Sequence, residues 1–379
     1  MRNLAILALA ALLGWGGALL LTAADPAEAE DSPQTFSTWG WKTNFKKHTV
    51  PYAEILSGGP PKDGIPAVDN PKFVTQKEAD GWLKDVEPVV VLEIGGVAKA
   101  YPLQILMWHE IVNDTLNGTP VSVTFCPLCN SAIAFDRRLD GRLLDFGTTG
   151  KLQKSNLVMY DRQTESWWEQ FTGRGIVGDL IGKQLKMLPA AIVGYGHFKK
   201  TYPNAPVLSR KTGHIRPYGR NPYVGYDDIN SVPFLFRGPV DKRLPPMERV
   251  VAVTLGDVDR AYPFSVLAKL RVVNDRVAGR DVVVFHSLGA ASALDGREIA
   301  ASRDVGATGV FDRNLDGKKL SFRADGADFR DAETGSRWTV LGLAVEGPLK
   351  GKRLRPILNG SHFAFSWFAF KPNTSVYTP

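Results

Sequence analysis

One signature occurs twice in this chain at a fixed spacing, and it restricts the fold more than any other feature. Ala100-Tyr101-Pro102 leads to Val112-Asn113-Asp114, and 161 residues on Ala261-Tyr262-Pro263 leads to Val273-Asn274-Asp275. Phe135-Asp136-Arg137 is answered by Phe311-Asp312-Arg313, and Asp140-Gly141 before Phe146 by Asp316-Gly317 before Phe322. Asp161, Thr164, Ser166 and Trp168 recur 170 residues on as Asp331, Thr334, Ser336 and Trp338. Gly178 to Lys183 is matched by Gly347 to Lys352. Ordered agreement over roughly 110 residues implies one supersecondary unit used twice.

The unit reads as mainly β, a β-rich α+β arrangement. Val89-Val90-Val91-Leu92 and Val250-Val251-Ala252-Val253 are strand-like, as are Val121 to Phe125 and Val282 to Phe285. Asp140-Gly141 and Asp316-Gly317 supply positive-φ hairpin turns. Short helical turns are expected after Tyr101-Pro102 and Tyr262-Pro263. With 37 glycines and 25 prolines, short strands and many turns are favoured over long helices. The expected organisation is a targeting segment over 1–29, an irregular N-terminal segment over 30–86, a first repeat over 87–209, a connector over 210–247 and a second repeat over 248–379. The two diverged tandem copies are expected to pack together.

The N-terminus carries an address. Arg2 is followed by an uncharged apolar run from Leu4 to Leu21, and Ala27-Glu28-Ala29 resembles a small-x-small cleavage site. The run is long enough that an uncleaved anchor, a membrane tether, stands as the alternative. No cysteine lies near it to take a lipid. Both readings place the rest outside the cytoplasm, periplasmic or extracytoplasmic, where conditions are oxidising. The net charge of +7 is scattered, without a basic stripe or recognition motif, so no nucleic-acid partner is expected. Neither another partner nor an oligomeric state is specified.

Two copies in one chain provide an internal control. Positions that both share, such as Tyr101/Tyr262, Asn113/Asn274, Asp136/Asp312 and Trp168/Trp338, are expected to serve the common fold. Positions that differ are where one copy could acquire chemistry. Cys126-Pro127-Leu128-Cys129 holds the chain's two cysteines, and its counterpart is His286-Ser287-Leu288-Gly289. His109 is matched by Leu270. Two cysteines two residues apart converge on one ion through a turn, and thiolate with imidazole suits copper(I) or zinc. The expected metal ligands are Cys126, Cys129 and His109, with His286 reaching across if the copies face each other. Met107 and Met159 are further soft candidates. The oxidising location favours copper, because unmetallated thiols there would not last.

Two alternatives stay open. A thiol–disulfide exchanger would use the same cysteines, but its motif should open a helix, and Asn130 to Phe135 reads as a strand. A closed Cys126–Cys129 disulfide would leave ligand binding to an aromatic face, with Trp39, Trp41, Trp167, Trp168 and the Phe363–Phe370 stretch as candidates for carbohydrate. No GxSxG, HExxH, P-loop or Rossmann glycine pattern occurs, so neither a serine hydrolase nor a nucleotide cofactor is expected. Whether the chain is an enzyme is not decided by these residues.

Several motifs together resemble a known family. They are Phe125-Cys126-Pro127-Leu128-Cys129-Asn130-Ser131 with Phe135-Asp136-Arg137, Ser155 through Arg162, the Asp-x-x-Thr-x-Ser-x-Trp run ending at Trp168, and Val207-Leu208-Ser209 with Pro222-Tyr223 and Tyr226. They are similar to the signature of the DUF3179 family, over nearly all of the chain from about residue 45. The resemblance implies an exported context. It supplies no mechanism and no catalytic residue.

Overall fold

The valine run after Pro88 forms a strand, β1 (Pro88–Ile94), which turns at Gly95-Gly96 into β2 (Val97–Pro102). Both glycines have positive φ, 60° and 85°, a region that costs a side chain energy. This computed structural model describes residues 38–379, so the targeting segment expected at 1–29 lies outside the described residues. Pro102, fixed near φ −60°, starts helix α1 (Leu103–His109), and Glu110 ends it in the left-handed region. A meander follows: β3 (Ile111–Leu116), β4 (Thr119–Cys126) and β5 (Ser131–Asp136), antiparallel in sequence order. Then come β6 (Phe146–Gln153), β7 (Asn156–Asp161) and β8 (Trp167–Glu169), a second antiparallel set. β9 (Ala190–Gly194) returns to the open edge of β1, and α2 (Tyr195–Thr201) follows.

The same succession follows in the second half. β10 (Arg249–Leu255) and β11 (Val258–Pro263) form a hairpin, and α3 (Phe264–Leu270) ends at left-handed Arg271. β12 (Val272–Val277), β13 (Arg280–Ser287) and β14 (Ala307–Asp312) are a meander. β15 (Phe322–Asp325), β16 (Asp328–Asp331) and β17 (Arg337–Trp338) form the second set, and β18 (Asn359–Phe363) returns to β10 before α4 (Ala364–Phe370). The chain is therefore strand-rich, with its strands divided among several small sheets.

Shared residues make shared bonds. Tyr101 donates to Asp114 at 2.7 Å and Tyr262 to Asp275 at 2.9 Å. The indole N–H of Trp168 reaches Asp161 at 2.9 Å, and that of Trp338 reaches Asp331 at 2.8 Å. Asn113 and Asn274 each donate to the carbonyl of the phenylalanine opening the next strand, Phe146 or Phe322, at 2.8 Å. Buried indole and amide groups require such partners, which accounts for the pairing of Asp with Trp in both halves.

The halves share their cores. Val91, Val193 and Phe198 pack in one cluster with Phe285, Phe311 and Trp338. Val123, Phe125 and Leu103 pack with Leu294, Phe363 and Phe365. The aromatic residues suggested as a binding face are divided: Trp167 and Trp168 are wholly buried, Phe363, Phe365, Trp367 and Phe368 are buried too, Trp41 and Phe370 are half-buried, and Trp39 is exposed. Aromatic area of that size is worth more inside than on the surface. No described helix is long and apolar enough to cross a membrane.

Two connections differ between the halves, and both bear on the site. Strands β6 and β7 span sixteen residues, Phe146–Asp161, whereas β15 and β16 span ten, Phe322–Asp331. The link from β4 to β5 is the four-residue turn 127–130, whereas that from β13 to β14 is the long loop 288–306. The connector over 210–247 contains neither helix nor strand and runs against both.

Candidate functional site

Cys126 is the last residue of β4, and its thiol is placed by the turn that follows. Pro127–Cys129 forms one 3-10 turn, with Pro127 fixing its first φ. Asn130 closes the turn at φ 49°, and β5 begins at once, with Ser131 paired to Cys126. Asparagine tolerates that left-handed position better than most residues. The expected strand after the cysteines is thus present, and no α-helix starts from them.

The two cysteines are free thiols in neighbouring positions, with Cys129 acting on the electrostatics of Cys126. The backbone N–H groups of Leu157 and Cys129 act on Cys126 in the direction that favours its thiolate. The carbonyl oxygen of Ser155 faces both, 3.4 Å from Cys129 Sγ and 3.8 Å from Cys126 Sγ. Ser155 reaches them because the β6–β7 hairpin is long and because Lys154 and Ser155 both take positive φ at its tip. Its hydroxyl donates to the carbonyl of Phe234 in the connector, at 2.5 Å. The connector closes the site from outside: Tyr226 donates to the Leu128 carbonyl at 3.0 Å, and Tyr223, Tyr226 and Leu235 pack against the cluster that contains Cys126, Leu128 and Cys129. Cys126 keeps 2% of its surface and Cys129 none.

Burial sets the electrostatics. It pushes the Cys126 thiol well above the ordinary thiol range, and Cys129 beside it adds to the rise. Glu110, the left-handed residue ending α1, is buried against Cys126. Burial first, and Cys126 second, push its carboxyl well above the carboxylate range, which favours the neutral acid.

A buried polar chain lies behind the turn. Asn156 donates to Gln170 at 2.8 Å, and Gln170 donates to Thr124 at 2.9 Å and to the Ser131 carbonyl at 3.1 Å. The second half has Val284 in place of Thr124 and Val340 in place of Gln170, inside an apolar core. The polar backing therefore accompanies the cysteines.

The imidazoles named from sequence are not brought to the thiols. His109 Nδ1 lies 2.7 Å from the Pro66 carbonyl, which can only accept, so Nδ1 carries the proton. Nε2 then accepts from the Tyr218 hydroxyl at 2.6 Å. With both nitrogens occupied, and burial lowering its pKa to about 4, His109 is a neutral packing group under the connector. His286 lies in the second half beside Phe264, with Nε2 3.3 Å from the Val305 carbonyl. Met107 belongs to the core around Leu103, while Met159 packs in the cluster that contains both cysteines. Among the described residues no group of three or more His, Cys, Asp or Glu side chains is placed to hold a metal ion. Of the expected set, the structure joins Cys126 and Cys129.

Glu110, Ser155, Tyr223 and Tyr226 complete the site without having been singled out for it. Glu110 carried a signal, since 161 residues on stands Arg271. The longer hairpin behind Ser155 carried another, in the unequal spacing of Phe146 to Asp161 and Phe322 to Asp331.

The model of a family described as a protein of unknown function, DUF3179, matches residues 62–374. No curated protein and no solved structure matches the chain.

Proposed function

Since the chain belongs to the DUF3179 family, a family without an assigned activity, we propose a function from the site itself: an exported protein that binds one copper(I) ion between the thiolates of Cys126 and Cys129. The supporting observation is the pair of adjacent, buried, unbridged thiols. Copper(I) is soft and accepts two thiolates alone, whereas zinc takes four donors, and the site offers two sulfurs. Binding releases two protons and leaves one net negative charge on the complex. The N–H groups of Leu157 and Cys129 favour charge on Cys126, and Glu110, whose burial favours its neutral form, could donate to the same charge. Closure by Tyr223 and Tyr226 shields the ion from water and oxidants.

In the same reading the two halves are diverged tandem copies. The repeated element order and the repeated Tyr–Asp and Trp–Asp bonds support that origin. The first copy took on the ion, and the second keeps an apolar core. An extracytoplasmic location, reached through the N-terminal segment, belongs to the proposal and is read out by fractionation of cells.

The test is copper content. Protein purified without a histidine tag is loaded anaerobically with copper(I) and desalted, alongside Cys126→Ser/Cys129→Ser. One copper per wild-type chain and none in the double variant supports the reading. No retained copper, with both thiols still titratable, overturns it. The same unbridged thiols favour a second reading, a dithiol that passes two electrons and its two thiol protons to an external disulfide, forming the Cys126–Cys129 bridge and two external thiols. A reversible Cys126–Cys129 bridge in a glutathione series, without copper retention, would select it.

A further inference from the structure

A cavity of about 340 Å³ opens between the two halves, away from the thiols. Ile133 and Phe171 line it from the first half, and Ala252, Gly360 and Trp367 from the second. On its wall lies His362, 2% exposed, between the rings of Phe171 at 4.7 Å and Trp367 at 5.2 Å. Among the described residues neither nitrogen of His362 has a hydrogen-bond partner, and Nδ1 is sealed from solvent. The cost of about 1–3 kcal/mol for a sealed unpaired group falls on Nδ1; Nε2 is the nitrogen beside Gly360 on the cavity wall, where a ligand could reach it. Gly360 makes room for the ring, because a Cβ there would collide with Nε2.

The molecule contains its own control. A second cavity, of about 450 Å³, lies between counterpart positions of the two halves. Val91 stands for Ala252, Ala191 for Gly360 and Tyr202 for Lys371. The counterpart of His362 is Val193. The imidazole and the glycine that admits it thus occur together, in one cavity of the two. This comparison rests on the tandem-copy reading, whereas the cavity and its unpaired imidazole do not.

The walls define the ligand. They are largely apolar and aromatic, and the polar groups Thr172, Gln184, Thr254 and Asn359 are uncharged. The lining cation, Lys371, is already paired with Asp259 at 3.3 Å. The volume is at the small end of ligand sites, suited to one or two rings. A hydroxyl both donates and accepts, so it satisfies Nε2 in either tautomer.

We propose that this cavity binds a small uncharged hydroxylated aromatic molecule, whose hydroxyl pairs with His362 Nε2 and whose rings lie against Trp367 and Ile133.

The test uses the whole protein and 2-naphthol as the probe, followed by calorimetry and tryptophan fluorescence. Expected are saturable binding of one probe per chain and weaker binding of the anionic 2-naphthoate. His362→Leu should weaken 2-naphthol about three- to tenfold, the worth of one hydrogen bond, and leave naphthalene unaffected. Ala252→Phe, which fills the cavity, should abolish both. No saturable 2-naphthol binding to the wild type overturns the proposal, as does equal affinity for 2-naphthoate. Should His362→Leu fail to fold, Ala252→Phe decides: undiminished binding there places the probe elsewhere and overturns it. Copper retention is measured in parallel, so failure of this site is distinguishable from failure of the thiol site.

Discussion

The Sγ of Cys129 lies 3.4 Å from the carbonyl oxygen of Ser155, twenty-six positions away in the chain. That contact exists because one hairpin in the first half is six residues longer than its counterpart and turns through two left-handed residues. The same serine holds the connector through Phe234. Thiol, hairpin tip and connector therefore form one chain of contacts, and access to the thiols requires the outer two to move.

Thiol protection should accordingly depend on Tyr226. Its hydroxyl donates to the Leu128 carbonyl at 3.0 Å and accepts from the Phe234 N–H at 3.4 Å. Tyr226→Phe removes both bonds while keeping the ring. Losing about 1 kcal/mol from the closed state raises the open population roughly fivefold. Iodoacetamide labelling of the native protein, read by mass spectrometry, should accelerate by that factor. An unchanged rate would mean that the connector does not control access.

The polar chain behind the cysteines should behave as a unit. Gln170→Val strands Asn156 and the Ser131 carbonyl without their partner. The expected cost is about 2–4 kcal/mol in urea unfolding. Thr124→Val alone strands Gln170 from the other side. The double variant imitates the second half, where Val284 and Val340 occupy these places. It should cost clearly less than the two single changes added together. Additive costs would show that the bonds are independent.

Much of this was legible in the sequence. Tandem agreement between Asp161-Thr164-Trp168 and Asp331-Thr334-Trp338 pointed to local scaffolding, and both sets close the same Asp–Trp bond. Asn130 to Phe135 was readable as a strand because Ala132, Ile133 and Phe135 suit one, and Ser131–Asp136 is one. The role of His109 was not legible. Nearness in sequence places it at the end of α1, but its direction is fixed by the carbonyl of Pro66 and the hydroxyl of Tyr218, 43 and 109 residues away. The connector was equally opaque. Composition identified it as irregular, and only tertiary packing shows that Tyr223 and Tyr226 cover the thiols.

The Asp–Trp bonds give matched costs in the two halves. Asp161 accepts from the Trp168 indole and the Thr164 backbone, and Asp331 from Trp338 and Thr334 in the same way. Asp161→Ala and Asp331→Ala should each cost about 2–4 kcal/mol, because each leaves a buried indole N–H unpaired. Guanidinium unfolding should show the two values alike within about 1 kcal/mol, while copper retention stays unchanged in both. Loss of copper in Asp331→Ala would show that the halves are coupled more tightly than their shared core implies.

Acid sensitivity should trace to buried imidazoles. Burial lowers His109 from 6.5 to about 4 and His362 from 6.5 to about 3. Unfolding exposes both. Below about pH 6.5 the unfolded chain takes up a proton at each, while the native chain takes none until the pH nears the lowered value. Their contribution to stability is therefore full above about pH 6.5 and is lost as the pH falls towards 4. Each histidine contributes a slope of about 1.4 kcal/mol per pH unit in the middle of that range. Burial lowers His197 and His286 in the same direction, so the wild-type slope contains more than two residues. The variant isolates one of them: His362→Leu should lose less stability than the wild type between pH 6 and pH 5, by about 1 kcal/mol in urea titrations. Equal slopes would mean that His362 takes its proton in the folded protein, and its place between Phe171 and Trp367 would then have to open to water.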